Sequence, residues 1–384
     1  MGIKIHMFPA RNGDCILVET PFRNILIDGG YADTYHNSLK PYLLSRLNSY
    51  VLDLVIVTHI DQDHIGGIIA LLSDNGYAGV PKILPIKQVW HNGYSQLPRS
   101  KSNDILSRKE AEILKGYSLS YNNDIMNEPI SGVQGMSLSY LLMQNGYSWN
   151  AAVNGMAICT DNILYLAMDY DTKITLLSPN HKQLSALIEY WWRELKSKKW
   201  GFNLTDDPLF NSAMEGFLLS DIDSYVAIDE EINSSGSLSL HKLAALSVSP
   251  DSSCTNASSI AFTLQAQGKN LLFLADATEE QIIKSLDFMS AKFFDLIKVP
   301  HHGSLGNANK LFDYIDGQVF LISTDGSKHN HPDRATLAKI VTRPCLKQRT
   351  LVFNYPNDAY HYFNNIVLMN EYNYAVQLSN EVNL

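Results

Sequence analysis

Four metal-binding side chains fall within the six positions His59-Ile60-Asp61-Gln62-Asp63-His64, directly after the apolar run Leu54-Val55-Ile56-Val57. Imidazoles and carboxylates hold divalent cations, and a strand end followed by the turn at Gly66-Gly67 lets them converge. A purely local explanation has Asp63 capping the helix that follows, with the histidines as polar surface. Capping accounts for one acidic residue and leaves three ligand-type side chains without a reason. The segment reads as a metal site.

Three more segments place polar residues just past an apolar strand. Leu271-Leu272-Phe273-Leu274-Ala275 ends in Asp276, Leu296-Ile297-Lys298-Val299-Pro300 ends in His301-His302-Gly303-Ser304, and Val319 to Ser323 leads to His329-Asn330-His331-Pro332. Strand ends along one sheet edge are where α/β proteins build sites, because the strands fix the loops around a crevice. Six of the twelve histidines lie in these loops and the first motif, which is more clustering than an even spread would give. Taken singly, Asp276 is equally a cap for the helix after Ala277-Thr278, and each histidine a structural one. Taken with the first motif, Asp276 and one of the His301-His302 pair read as ligands.

The chain opens with short strand patterns at Ile3 to Phe8, Cys15 to Glu19 and Asn24 to Ile27, separated by Asn12-Gly13-Asp14 and Asp28-Gly29-Gly30. A helical pattern follows at His36 to Leu47, another near Gly67 to Leu72, and a strand at Lys87 to Trp90. Residues from about 97 to 150 are polar and helical, most clearly at Ser137 to Leu142. Strand patterns return at Ile163 to Ala167 and Ile174 to Leu177, then a strong helix at Gln183 to Lys196. Residues from about 200 to 255 lack periodicity and read either as disordered or as a lid folded over the site. The last third alternates strands and helices, as an α/β layer architecture requires. A strand-rich start and an α/β finish, each carrying motifs of one site, predict a single composite domain over 1–384 with insertions at about 97–150 and 180–255.

A net charge of -9 excludes a protein that coats nucleic acid over a broad face, and leaves room for a local basic track or for metal ions where an anion docks. Four scattered cysteines without a Cys-x-x-Cys pair fit a reducing compartment and no zinc ribbon. With no signal-peptide pattern and no run of membrane-span length, a soluble cytoplasmic protein without membrane association is the expectation.

The succession His-x-Asp-x-Asp-His, Asp after a strand, His-His-Gly-Ser and His-Pro resembles the metallo-β-lactamase fold hydrolase superfamily. Within it the chain looks like the competence-associated, ComEC-like branch. Gly13-Asp14, Leu26-Ile27-Asp28-Gly29-Gly30 and Asn256-Ala257-Ser258-Ser259-Ile260 are similar to that branch, and the likeness covers roughly 1–92 and 251–335. It implies a four-layer αβ/βα sandwich with a helical or irregular central insertion, and two divalent metal ions, Zn²⁺ or Mn²⁺, at one sheet edge. His59 and Asp61 would bind the first metal and Asp63 and His64 the second. Asp276 would bridge, and His301 or His302 would complete the second. Two departures stand out: Asp61 replaces the commoner histidine, and the further first-metal histidine is missing near Thr255 to Ser258, where Asn256 is the best substitute. An oxygen-richer first site tolerates Mn²⁺ better than Zn²⁺ does.

The expected function is a metal-dependent hydrolase, most of all a phosphodiesterase or nuclease using a metal-activated hydroxide, with nucleic acid or another phosphodiester as substrate. Asp63 and His331 are the catalytic candidates. His331 either contacts an anionic substrate or protonates the leaving group, or is structural. Arg193, Lys196, Lys198 and Lys199, between Trp191-Trp192 and Trp200, read either as a single-strand grip or as the solvated face of an amphipathic helix. The alternatives are hydrolysis of a small molecule such as a lactone, thioester, β-lactam or cyclic nucleotide, and a non-catalytic subunit that partners other proteins of a bacterial multi-component system.

Overall fold

The computed structural model describes residues 2–46, 50–98, 107–112, 137–197, 210–211, 214–215, 239–289, 292–345 and 347–384. Much of the two central stretches expected to be insertions therefore lies outside the described residues. Its strands run β1 (Lys4–Met7), β2 (Ile16–Glu19), β3 (Asn24–Ile27), β4 (Leu54–Ile56), β5 (Val89–Trp90), β6 (Tyr165–Ala167) and β7 (Lys173–Ser178). They continue as β8 (Ala261–Ala266), β9 (Lys269–Phe273), β10 (Phe293–Lys298), β11 (Asp316–Ile322), β12 (Arg349–Phe353), β13 (Tyr374–Leu378) and β14 (Glu381–Asn383). The helices that matter here are α1 (Gln62–Asn75), α2 (Leu138–Gln144), α3 (His181–Ser197), α4 (Glu279–Leu286) and α5 (Arg334–Val341).

Among the described residues these strands make two sheets, ordered β14-β1-β2-β3-β4-β5 and β13-β12-β11-β10-β9-β8-β7-β6. In each, a run of antiparallel neighbours passes into parallel ones, β3-β4-β5 in the first and β9 through β13 in the second. Parallel strands need crossovers, which is why helices intervene just where the sequence alternates.

Period-two alternation sets the layers. In β9, Leu271 and Phe273 join Ile5, Ile27, Ile56, Trp90, Leu296 and Leu321 in the core between the sheets. Leu272 turns the other way, to pack with Ile297 and Phe320 against Ile282 of α4 and Leu337 and Ile340 of α5. On the opposite flank Leu17, Leu26, Val55 and Val57 meet Ile65, Ile68 and Leu72 of α1, Leu138 and Leu142 of α2, and Leu184, Leu187 and Trp191 of α3. Each fully buried aliphatic contributes about 1.5–3 kcal/mol, so a one-residue slip in any strand exposes a whole face. The result is the four-layer αβ/βα sandwich that the resemblance implied. No helix among the described residues is long and apolar enough to cross a membrane.

Two differences from the expected elements bear on the site. Helix α1 begins at Gln62, several residues ahead of Gly67, so Asp61 is its N-cap residue and Asp63 and His64 lie in its first turn. The C-terminal strands β12 to β14, not anticipated from the sequence, complete the parallel run, and β14 closes back onto β1 at the N-terminus.

Candidate metal centre

The site forms where parallel strands end. His59 follows β4, Asp276 follows β9, and His301 and His302 follow β10, while Asp63 and His64 open α1. The geometry converges on one atom. Oδ2 of Asp276 lies 3.8 Å from His59 Nε2, 3.6 Å from His64 Nε2, 3.7 Å from His301 Nε2 and 3.7 Å from His302 Nε2. The His59 and His64 rings sit 4.2 Å apart. Asp63, His64 and His302 form one set of converging donors and His59, His64 and Asp276 another. Asp61 Oδ2 stands 3.5 Å from His59 Nε2.

The tautomers follow from what stands behind each ring. His64 Nδ1 donates to Asp28 Oδ2 at 2.8 Å. His302 Nδ1 donates to the carbonyl of Ser323 at 2.8 Å. Thr58 Oγ1 donates to Asp28 Oδ2 and therefore accepts from His59 Nδ1 at 2.9 Å. The amide nitrogen of Asn307 donates to Asp251 and to the Asp276 carbonyl, so its Oδ1 accepts from His301 Nδ1 at 2.8 Å. In the neutral tautomers these contacts set, each Nε2 lone pair faces the Asp276 carboxylate, and the raised pKa of His64 and of His301 shows that positive charge is favoured there. Lone pairs facing a carboxylate repel unless a cation stands between them. The separations are too long for hydrogen bonds but suit donors sharing an ion about 2.0–2.2 Å from each.

The unsatisfied atoms agree. His59 Nε2, His64 Nε2, His302 Nε2, Asp276 Oδ1 and Asp61 Oδ1 are buried without a hydrogen-bond partner. Orphaned buried donors and acceptors are rare and costly, about 1–3 kcal/mol each, unless something binds them. These residues therefore fit divalent cations, and the acceptor behind each ring is the arrangement that orients metal-bound histidines.

Burial alone would raise the Asp276 carboxyl, yet His301, His302 and His64 hold it well below the usual range. Burial disfavours a charged His64, but Asp276, Asp28 and Asp63 draw it upward. His302 goes the other way, pushed down to about 3 chiefly by burial and also by Lys298. Burial thus favours its neutral form, the one that can ligate a cation. Asp63 is raised by burial and by Asp61 and Asp276.

Close backbone approach makes this possible. A Cβ on Gly67 would lie 2.0 Å from the Gly29 carbonyl, and Gly67 N donates to Gly30 O at 2.7 Å, so glycines on both sides let the Asp28 loop reach His64. Gly303, at φ +97, abuts Pro332, whose Cβ would be 2.4 Å from an added Cβ. That contact brings His331 beside His301, ring centroids 5.5 Å apart. His301 and His302 are themselves both left-handed, at φ 43 and 54, as is Ala275 at 46. For residues with a Cβ that costs roughly 1–2 kcal/mol each, and such strain collects at functional sites.

His59, His64, His301 and His302 thus lie within 3.8 Å of Asp276, Asp61 and Asp63 stand with His59 and His64, and His331 stands beside His301. Asp276 does not cap a helix, because Thr278 is the N-cap of α4. Asn256 donates to Asp251 Oδ2 at 2.7 Å, so it stands behind the ring of His301. His331 is buried with Nδ1 unpartnered, 3.8 Å from Asp333 Oδ2. The basic-aromatic stretch separates: Trp191 is in the core, Trp192 packs edge-on to Tyr94, Arg193 and Lys196 are exposed, and Lys198, Lys199 and Trp200 lie outside the described residues. Sequence reasoning missed the roles of Asp28, Asn307 and Asp251 behind the rings. It also missed the buried ion pair of Lys298 Nζ with Asp14 Oδ2 at 2.7 Å, whose other oxygen lies 3.7 Å from His302 Nδ1. A lysine inside the apolar run of β10 was the available signal.

Residues 9–139 match the family model described as the metallo-beta-lactamase superfamily. The chain has that superfamily's fold. No curated protein matches it. Among solved structures, the metallo-beta-lactamase fold protein YhfI from Bacillus subtilis aligns at 13% identity and TM-score 0.40, covering 100% of both chains. Zn²⁺-bound PqqB from Methylobacterium extorquens aligns at 10% and 0.40, over 99% of this chain and 100% of that one. CmlA, a diiron beta-hydroxylase from Streptomyces venezuelae, aligns at 10% and 0.39. The match covers 100% of this chain and 54% of CmlA, so this chain spans about half the length of that relative.

Proposed function

We propose that this chain is a metal-dependent hydrolase of phosphodiesters, with a nucleic acid as the favoured substrate. The observation that carries the reading is Asp276 Oδ2, held 3.6–3.8 Å from four imidazole Nε2 atoms, as a carboxylate shared between two cations would be. A pair of divalent cations supplies Lewis acidity there, brings the pKa of water toward neutrality and offsets charge on attacking and leaving oxygens.

The chain's own residues do the rest. His59, Asp61 and His301 would hold a first ion and Asp63, His64 and His302 a second, with the Asp276 carboxylate within reach of both. His301 stands against Asp251 and Asn256, where the sequence left the first ion one nitrogen short, so each member of the His-His pair serves a different ion. Asn12 Nδ2 donates to Asp63 Oδ2 at 2.6 Å and fixes that carboxylate. His331, beside His301, supplies a ring N–H to the leaving oxygen. Three carboxylates make the donor set oxygen-rich, which suits a hard ion such as Mn²⁺ as well as Zn²⁺. Arg193 and Lys196 are among the exposed cations on α3 and would guide a polyanion past the net negative charge.

The test reloads metal-stripped protein with Mn²⁺ or Zn²⁺ and assays single- and double-stranded DNA, bis-nitrophenyl phosphate and a lactone panel. Cleavage of the phosphodiesters and not of the lactones supports the reading. Turnover of lactones alone, or of nothing with either metal, overturns it.

A further inference from the structure

A second set of metal-ligating side chains, sharing no residue with the first, lies at the mouth of α3. Ligand atoms of Cys159, Asp161 and His181 all fall within 4.8 Å of one another. Cys159 is fully buried and forms the floor, while Asp161 and His181 are exposed at the rim. We propose that these three residues bind a Zn²⁺ ion that ties the 159–163 turn to the first residue of α3, leaving one coordination position open to water.

The backbone already holds the three together. Thr160 N donates to Pro179 O at 2.9 Å, and Asn162 N and Ile163 N turn back to Cys159 O at 3.1 and 3.0 Å. Asp161 Oδ2 accepts from His181 N at 2.6 Å. That bond alone makes Asp161 a cap for α3. It explains neither why a thiol lies beneath the carboxylate nor why an imidazole from another segment meets them.

The donor chemistry selects the ion. Thiolate, imidazole and carboxylate together suit Zn²⁺ or Co²⁺, with metal–ligand distances of about 2.0–2.3 Å. Tetrahedral donors at that range stand about 3.3–3.8 Å apart, so closing the site takes a shift of roughly 1 Å. The exposed side chains of Asp161 and His181 have room to make it. As the sulfur–metal bond forms, the Cys159 thiol gives its proton to solvent, so binding strengthens with rising pH.

Cobalt gives a readout that the histidine centre cannot produce, because no cysteine belongs to that centre. Full-length, metal-stripped protein is titrated with Co²⁺ and followed for the near-ultraviolet thiolate-to-cobalt charge-transfer band. The band is expected in the unaltered chain and in Asp276→Asn, and is expected to vanish in Cys159→Ser. His181→Ala, at an exposed position that keeps the thiol and the core, is expected to weaken the Co²⁺ affinity of the band more than about tenfold, the least seen when even a residue behind a ligand is removed. The inference is overturned if saturating Co²⁺ gives no band in the unaltered chain. It is equally overturned if the band persists in Cys159→Ser or keeps its full affinity in His181→Ala. None of these outcomes depends on what the histidine centre hydrolyses.

Discussion

His64 Nδ1 lies 2.8 Å from Asp28 Oδ2, a contact that crosses from the end of β3 to the first turn of α1. The same carboxylate accepts from the Thr58 amide at 2.8 Å and the Thr58 hydroxyl at 2.7 Å, and that hydroxyl in turn holds His59. One buried aspartate thus sets the tautomers of two candidate ligands.

Asp28→Asn keeps shape, and asparagine tolerates the left-handed φ of 55 found here. It replaces an acceptor with a donor behind His64, which pushes the ring proton onto Nε2 and removes the lone pair. Metal affinity is expected to fall about 10–100-fold with the thermal transition little changed. Calorimetric titration with Zn²⁺ and Mn²⁺ checks this, and unaltered affinity would mean that the aspartate does not orient the ring.

The two members of the His301-His302 pair are expected to separate by ion. Only His302 joins the set of Asp63 and His64, and only His301 backs onto Asp251. In metal analysis, His302→Ala and His301→Ala are each expected to lose about one equivalent and to differ in which ligand mutation is silent afterwards. Asp63→Ala is expected to add little loss after His302→Ala, and Asp61→Ala little after His301→Ala. Additive losses in one pairing and not in the other would place both histidines on the same ion, and additive losses in both would exchange their assignments.

Asp61 presents a buried, unpartnered oxygen beside His59. Asp61→His adds a nitrogen donor and is expected to shift selectivity toward Zn²⁺ over Mn²⁺ by about tenfold or more. Competition between the two ions reads it directly, and an unchanged ratio would remove Asp61 from the ligand set.

Away from the centre, Glu19 accepts from His6, Tyr42 and Tyr50, each at 2.8 Å. Burial would raise its carboxyl, but those bonds lower it from 4.5 to about 2. The folded value lies below the unfolded one, so its stabilisation is complete above about pH 4.5 and disappears as pH falls through 2. With screening allowed for on a half-buried group, Glu19→Gln is expected to cost about 1–2 kcal/mol at neutral pH. Urea unfolding at a series of pH values should show the gap between the two proteins closing from pH 5 toward 2. A gap independent of pH would assign the loss to packing.

The candidate ligands were legible in the sequence because metal chemistry restricts residue type and strand ends restrict position; His59, Asp276 and the His301-His302 pair satisfy both conditions. Their supports were not, since Asp28, Asn307 and the Ser323 carbonyl come from distant segments and resemble ordinary turn residues until the sheets bring them in. The start of α1 was misplaced because Gly66-Gly67 reads as a helix boundary, whereas those glycines lie inside the helix to admit the Asp28 loop. The left-handed pair at His301 and His302 has no sequence signal beyond Gly303.

The bridging role of Asp276 is tested most directly by electron paramagnetic resonance of Mn²⁺-loaded protein, combined with metal analysis, in a Cys159→Ser background that confines the count to the histidine centre. Two Mn²⁺ per chain with a spin-coupled spectrum are expected, and Asp276→Ala should abolish the coupling and release at least one ion. A single uncoupled ion in the parent protein, or a coupled pair that survives Asp276→Ala, would contradict the shared-carboxylate centre.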